Sequence, residues 1–208
     1  MGEYGRLGPM EWATTARARS GETVCGDRSV AVAVGAHAAL FGVIDGLGHG
    51  APAAAAARCA EKVLTAAGDR PLDDLIGLCH RELTTTRGAA ITLVRTDFAS
   101  GTLQWTGVGN VSAHLLARTP AGVDSRSTVR LLGGIVGYQL PELGAMEGIS
   151  LRAGHVLVMA TDGVEDSYSH SIDFAVPADA LAGRIMAGHG RDTDDALVLV
   201  AKHRGVAT

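Results

Sequence analysis

Apolar residues come in short runs of Ala, Val and Leu broken by Gly, a pattern that predicts many buried strands. Residues 29–34 and 38–44 read as two strands separated by Gly35-Ala36-His37, with 12–19 as an earlier strand, together an antiparallel start. From Pro52 the alanine-rich run 53–67 is a strong helix former, and Pro71-Leu72-Asp73-Asp74 opens a second helix running through Leu83. Residues 89–98, 101–108 and 111–118 then read as a meander of strands, with Ala99-Ser100-Gly101 as the clearest hairpin turn. Residues 119–127 form a polar loop, followed by strands at 129–132, 148–151 and 156–160, a helix at 178–186 and a last buried strand at 196–200. Strand runs separated by a helix pair indicate an α+β sandwich, with sheets packed together and helices outside.

Composition narrows the function classes. A chain of 208 residues fits one domain over 1–208, able to bury about 70% of its unfolded surface without a disulfide or metal staple. Eighteen Lys and Arg against 22 Asp and Glu leave a net charge of −4, which argues against nucleic acid or an anionic membrane as the main partner. Cys25, Cys59 and Cys79 show no C-x-x-C pairing and read as reduced thiols. No signal peptide precedes residue 12, and no apolar run approaches the roughly 20 residues of a membrane span. The expectation is a cytoplasmic monomer.

Three acidic positions share one design, an aspartate where an apolar strand meets a turn. They are Val43-Ile44-Asp45-Gly46, Met159-Ala160-Thr161-Asp162-Gly163 and Asp194-Asp195-Ala196, where the acids precede the strand. A carboxylate so near a buried strand is costly unless its charge is compensated, and a hard divalent cation is the simplest compensation. Each Asp-Gly alone is also a common turn dipeptide. The combination with Gly46-Leu47-Gly48-His49-Gly50 before an alanine-rich helix adds weight, because these glycines let the backbone approach an ion or phosphate closely. The remaining histidines, among them His37, His80, His114, His155 and His189, show no zinc-ligand spacing. Ser112 lacks the elbow of a serine hydrolase.

The ordered series Cys25-Gly26-Asp27, Asp45-Gly46-Leu47-Gly48-His49-Gly50, Arg87-Gly88-Ala89-Ala90-Ile91-Thr92, Gly109-Asn110, Ala160-Thr161-Asp162-Gly163 and Asp194-Asp195-Ala196 resembles the PPM (PP2C-like) metal-dependent protein phosphatases. The short length and Gly134-Ile135-Val136-Gly137-Tyr138 are most similar to the SpoIIE-type branch, and within it to the RsbX-like phosphatases that reset stressosomes. The resemblance implies a four-layer αββα sandwich of two mostly antiparallel sheets flanked by helices. It implies two Mn²⁺ or Mg²⁺ ions as cofactors, with Asp45 bridging them, the Gly46 carbonyl completing the second site and Asp162 and Asp194 holding the first. Asp27 acts on the second metal directly or through water, and Asp195 supports the site or starts the strand. Catalysis then rests on Asp45, Asp162 and Asp194 through a metal-activated water.

The chain also departs from the family pattern. Gly26 replaces the usual Glu before the first Asp, Glu22 lies where animal enzymes carry a phosphate-clamping arginine, and Asn110 stands where many bacterial members have the Asp of a third metal site. His49 is either a proton donor or a turn residue at a helix entry. Arg17 and Arg19 are either phosphoprotein contacts or exposed strand arginines. The implied activity is hydrolysis of phosphoserine or phosphothreonine on a bacterial STAS-type stress-signalling protein, within a stressosome or an anti-anti-sigma switch. The alternatives are a pseudophosphatase that binds a phosphoprotein without turnover, or a hydrolase of small phosphoesters.

Overall fold

In the computed structural model, which describes residues 2–170 and 172–205, two sheets stack face to face with helices on both outer sides. One sheet runs in the order β1 (Tyr4–Leu7), β2 (Met10–Arg17), β12 (Ala196–His203), β11 (Val156–Ala160), β7 (Ser112–Thr119) and β8 (Gly122–Thr128). The other runs β10 (Ile149–Ser150), β6 (Thr102–Val108), β5 (Ala89–Asp97), β4 (Ala38–Gly46) and β3 (Asp27–Val34), with β9 (Leu131–Leu132) parallel to β6. Helices α1 (Gly50–Ala66) and α2 (Leu72–Glu82) cover the second sheet, and α3 (Ala178–His189) covers the first. This is the PP2C-like α+β sandwich.

The layering explains why the apolar runs are nearly continuous. On β12, Leu197, Leu199 and Ala201 fill the space between the sheets while Ala196, Val198 and Val200 face α3. On β4, Ala39, Phe41 and Val43 point between the sheets and Leu40 and Ile44 point under the helix pair. Both faces of these central strands are covered, so period-two alternation disappears from the sequence. Small residues set the spacing of the outer layer. α1 buries Ala53, Ala54, Ala56, Ala57 and Ala60 and comes so close to β4 that a Cβ on Gly46 would lie 2.1 Å from the carbonyl oxygen of Ala53.

Three local expectations are corrected. β2 does not extend the β3–β4 pair; it lies in the other sheet between β1 and β12, because its partner comes from the far end of the chain and no local pattern reports a non-local pairing. β7 likewise leaves the meander: β5 and β6 pair, and the chain then crosses at Gly109-Asn110 to the first sheet, where β7 pairs with β11. The polar segment expected as a loop contains strand β8, an exposed sheet edge whose side chains are mostly wet and therefore polar. The last helix and the last strand also run past their expected ends, to His189 and His203.

Cys25, Cys59 and Cys79 are free thiols. Among the described residues no helix is long and apolar enough to cross a membrane.

Candidate active site

The acids converge because strands of both sheets end at one rim of the sandwich. Asp45 sits near the end of β4, and Asp27 opens β3 directly opposite it in the antiparallel register. Thr161 and Asp162 follow β11, and Asp194 and Asp195 precede its neighbour β12. Gly163 lets the turn after β11 cross the start of β12, since a Cβ there would fall 2.0 Å from the carbonyl oxygen of Asp195. The result is a small cleft of about 190 Å³ lined by Asp45, Asp162 and Asp194 together with Asn110, His49 and Arg19.

Hydrogen bonds fix these groups from behind. The buried Thr161 hydroxyl donates to Asp27 Oδ2 at 2.8 Å and accepts the Leu197 N–H at 2.9 Å, linking both sheets. Asp195 turns away from the cleft. Its Oδ1 accepts the Arg19 N–H at 2.9 Å and its Oδ2 the Gly26 N–H at 2.9 Å. Asp194 Oδ1 accepts the Asp195 N–H at 2.9 Å, and Asn110 Nδ2 donates to Asp162 Oδ2 at 2.7 Å. At the mouth, His49 Nδ1 and Glu22 Oε1 are 2.7 Å apart.

The electrostatics are those of an uncompensated acid cluster. Burial, then the charges of Asp162, Asp194 and Asp195, push the Asp45 carboxyl up to about 7. Burial, then Asp45, raise Asp27 well above the carboxylate range, opposed by the Thr161 hydrogen bond. Asp162 is raised by burial and by Asp194, against the pull of Asn110. Among the described residues no Lys or Arg forms an ion pair with Asp45, Asp162 or Asp194.

The residues singled out in the sequence therefore separate into groups. Asp45, Asp162 and Asp194 share the cleft, with Gly46 buried behind Asp45. Asp27 is 1% exposed and lines instead a larger cavity of about 530 Å³, between β2 and β3, which contains none of the other acids of the cluster. His80 accepts the Gly137 N–H at 3.0 Å and His114 lies 3.9 Å from Asp166, both outside the cleft. Sequence reasoning misses the roles of Thr161 and of Glu22 beside His49; position next to Asp162 is the only hint for the first. Of the two arginines before the first acidic motif, Arg19 lies at the cleft and Arg17 pairs with Asp192 at 3.0 Å.

Among the described residues no three acidic, His or Cys side chains stand as a closed metal cage. The donor chemistry nevertheless fits Mg²⁺ or Mn²⁺: the cleft acids are all-oxygen donors, mutually repelling and unpaired with any cation, in a site open enough for an ion to keep bound waters.

The family model for Stage II sporulation protein E (SpoIIE) matches residues 35–204. Among solved structures, a chain from work on "the bacterial stressosome: a modular system that has been adapted to control secondary messenger signaling" is 32% identical with a TM-score of 0.82, covering 93% of this chain and 99% of that one. RsbX in complex with magnesium superposes with a TM-score of 0.78 at 18% identity, over 97% and 98% of the two chains. The serine/threonine phosphatase PstP of Mycobacterium tuberculosis gives 0.71 at 15% identity, over 94% and 99%. No curated protein matches the chain significantly. With a family model matching most of its length, the chain belongs to the SpoIIE family, and its sandwich has the fold of the RsbX and PstP phosphatase structures.

Proposed function

We propose that residues 1–208 form one catalytic domain that hydrolyses phosphoserine or phosphothreonine on a bacterial STAS-type signalling protein, in a stressosome or an anti-anti-sigma switch. The observation that carries the reading is the convergence of Asp45, Asp162 and Asp194 on one cleft, where no Lys or Arg among the described residues forms an ion pair with them. Asp45, Asp162 and Asp194 would hold the first of two Mn²⁺ or Mg²⁺ ions, Asp45 and the Gly46 carbonyl would hold the second, and Asp27, buried outside the cleft, would act on the second directly or through water. When bound, such ions supply positive charge that activates water as the nucleophile and offsets the charge developing on the phosphoryl oxygens. The chain's own part is to hold the carboxylates apart at fixed strand ends. Thr161 keeps Asp27 oriented, Asn110 keeps Asp162 oriented, and Asp195 anchors the loop before Asp27. The cleft is too small to enclose a peptide, so a folded substrate would present its phosphate on an exposed loop or helix end.

The partner assignment draws on the likeness to the stressosome-related chain and to RsbX. It is tested by incubating the protein with Mn²⁺ and a panel of phosphorylated STAS proteins beside unrelated phosphopeptides, with phosphate loss followed by mass. Preferential loss from the STAS proteins is expected. Equal rates on every substrate remove the partner assignment and leave the phosphatase chemistry; no loss from any substrate leaves a phosphoprotein-binding regulator.

A further inference from the structure

Two of the four large hydrophobic side chains exposed among the described residues stand at the rim of the cleft. Leu47, 45% exposed, lines the cleft itself, and Tyr138, 81% exposed, tops the turn at 135–139. Strand register sets how close they are. Gly46 pairs with Ala89, and Ala89 pairs in turn with Val136, so the three backbones lie side by side at about 4.8 Å per step. The Leu47 N–H donates to the Gly88 carbonyl at 3.0 Å. Gly88 leaves no gap on its other side, since a Cβ there would fall 2.7 Å from Ile135 Cγ2 and from the Val136 carbonyl oxygen. Leu47 and the turn that carries Tyr138 thus form one continuous surface.

The turn is braced from below. Ile135 and Gln139 exchange backbone hydrogen bonds in both directions at 2.9 Å, the Gly137 N–H donates to His80 Nδ1 at 3.0 Å, and Val136 is fully buried in the core beneath the helix pair. Gly137, at φ 101°, sits so tightly on Leu83 that a Cβ would lie 2.6 Å from the Leu83 Cβ. A tyrosine on a backbone this constrained has little freedom left to lose on contact, which favours its use at a protein interface. The occupant follows from the cleft. At about 190 Å³ the cleft is below the roughly 300–1,000 Å³ of drug-sized ligand sites and takes a phosphoryl group without the chain that bears it. A phosphoprotein must then rest on the rim, because a specific contact covers on the order of 800 Å² per partner. Arg87 adds a charge there: it is exposed, makes no ion pair among the described residues, and has Nη1 2.8 Å from where a Gly48 Cβ would stand. The rim therefore fits a folded phosphoprotein with an apolar and an acidic side chain beside its phosphorylated residue.

We propose that Leu47 and Tyr138 form a docking surface for that phosphoprotein and select which phosphoproteins the cleft accepts. The inference rests on the phosphatase reading above and deepens it, placing substrate selection outside the acid cluster.

The test uses the full chain with Mn²⁺ and two substrates, p-nitrophenyl phosphate and the phosphorylated STAS protein that loses phosphate fastest in the panel above. The readout is the ratio of kcat/KM on the protein to kcat/KM on the small ester. Tyr138→Ala should lower this ratio about tenfold or more, mostly through KM for the protein, as expected for an interface anchor. Tyr138→Phe keeps the ring and should stay within about threefold of wild type. Leu47→Ala should lower the ratio in the same direction, and the double variant further than either. Tyr4→Ala is the control, since Tyr4 is 80% exposed but lies on β1 in the other sheet; its ratio should match wild type. In parallel, calorimetry with the dephosphorylated STAS protein, which contacts the rim without turnover, should give a Kd about tenfold weaker for Tyr138→Ala. A ratio and a Kd both unchanged in Tyr138→Ala overturn the docking surface, as does an equal fall in Tyr4→Ala. A wild-type chain that hydrolyses the small ester but neither dephosphorylates nor binds any panel member overturns it too. Absence of turnover on every substrate, the small ester included, sinks the phosphatase reading instead, and the calorimetric Kd still judges Tyr138.

Discussion

Asp27 and Asp45 stand opposite each other as register partners across β3 and β4. Like charges directly opposite on neighbouring strands are unfavourable, and Asp27 is also buried to 1% exposure. The sandwich thus holds at one rim an acid pair that costs stability when both members ionise. Each carboxyl answers by holding its proton to higher pH, Asp27 well above its ordinary value and Asp45 up to about 7.

The first prediction concerns the metal-free protein. For Asp45 the folded-state value lies above the unfolded one, so its favourable contribution is complete below about pH 4 and is lost as pH rises through about 7. Each pKa unit is worth about 1.4 kcal/mol. Discounting by half for the solvent that reaches Asp45 leaves about 2 kcal/mol, or roughly 4–8 °C in Tm for a chain of this size. In chelator, Asp45→Asn should therefore melt roughly 4–8 °C above wild type at pH 8, with the gap closing toward pH 4. A gap independent of pH would detach the cost from Asp45.

The second prediction links that cost to activity. Turnover of p-nitrophenyl phosphate should vanish in excess EDTA and return with Mn²⁺ or Mg²⁺. Asp45→Asn should keep its circular dichroism spectrum yet lose at least about a hundredfold in kcat/KM, since metal-ion stabilisation is worth several kcal/mol. Full activity in excess chelator would remove divalent ions from the reaction.

These effects trace to residues whose legibility differed. Asp45 and Asp162 stand out in the sequence because each ends an apolar run and precedes a glycine, and Asp194 because it opens one. The strands flanking them were legible for the same reason, their buried runs. The pairing of β2 with β12 was not, because the two lie at opposite ends of the chain and hydrophobicity carries no register between strands so distant. Thr161 shows the same limit for a side chain: its hydroxyl joins Asp27, 134 residues away, and Leu197, 36 residues away. The place of Arg19 is illegible for the same reason, since its N–H is held by Asp195, 176 residues on, and the local sequence reads equally as an exposed strand arginine. Polar β8 was hidden by its place at a wet sheet edge.

The third prediction follows from that threonine. Thr161→Val keeps shape and branching but leaves the Leu197 N–H without its acceptor and Asp27 without its donor. Each orphaned buried group costs about 1–3 kcal/mol, to be read as a lower urea midpoint at unchanged m. Thr161→Ser keeps the hydroxyl and loses a methyl worth about 0.8 kcal/mol, so it should recover most of the stability. Equal losses in the two variants would show that packing, not the hydrogen bonds, makes Thr161 matter.

The fourth prediction turns on Asn110, whose amide donates to Asp162 Oδ2 at 2.7 Å and pulls that carboxyl down against burial and Asp194. Asn110→Asp exchanges this donor for a second carboxylate at the same spacing. At low pH the introduced carboxyl is protonated and can still donate, so the variant should match wild type there. Once both acids ionise the pair repels, and the metal-free variant should melt several degrees lower at pH 7, in line with about 1.5–3 kcal/mol for a lost hydrogen bond to a charged group. Mn²⁺ binds only the folded cluster and gains a charged ligand in the variant, so the rise in Tm on adding it should be larger than for wild type. Calorimetry should find one more ion bound per chain than in wild type, because position 110 then offers the oxygen that the amide withholds. Identical melting responses to Mn²⁺ in the two proteins would show that position 110 lies beyond the reach of any ion held by Asp162.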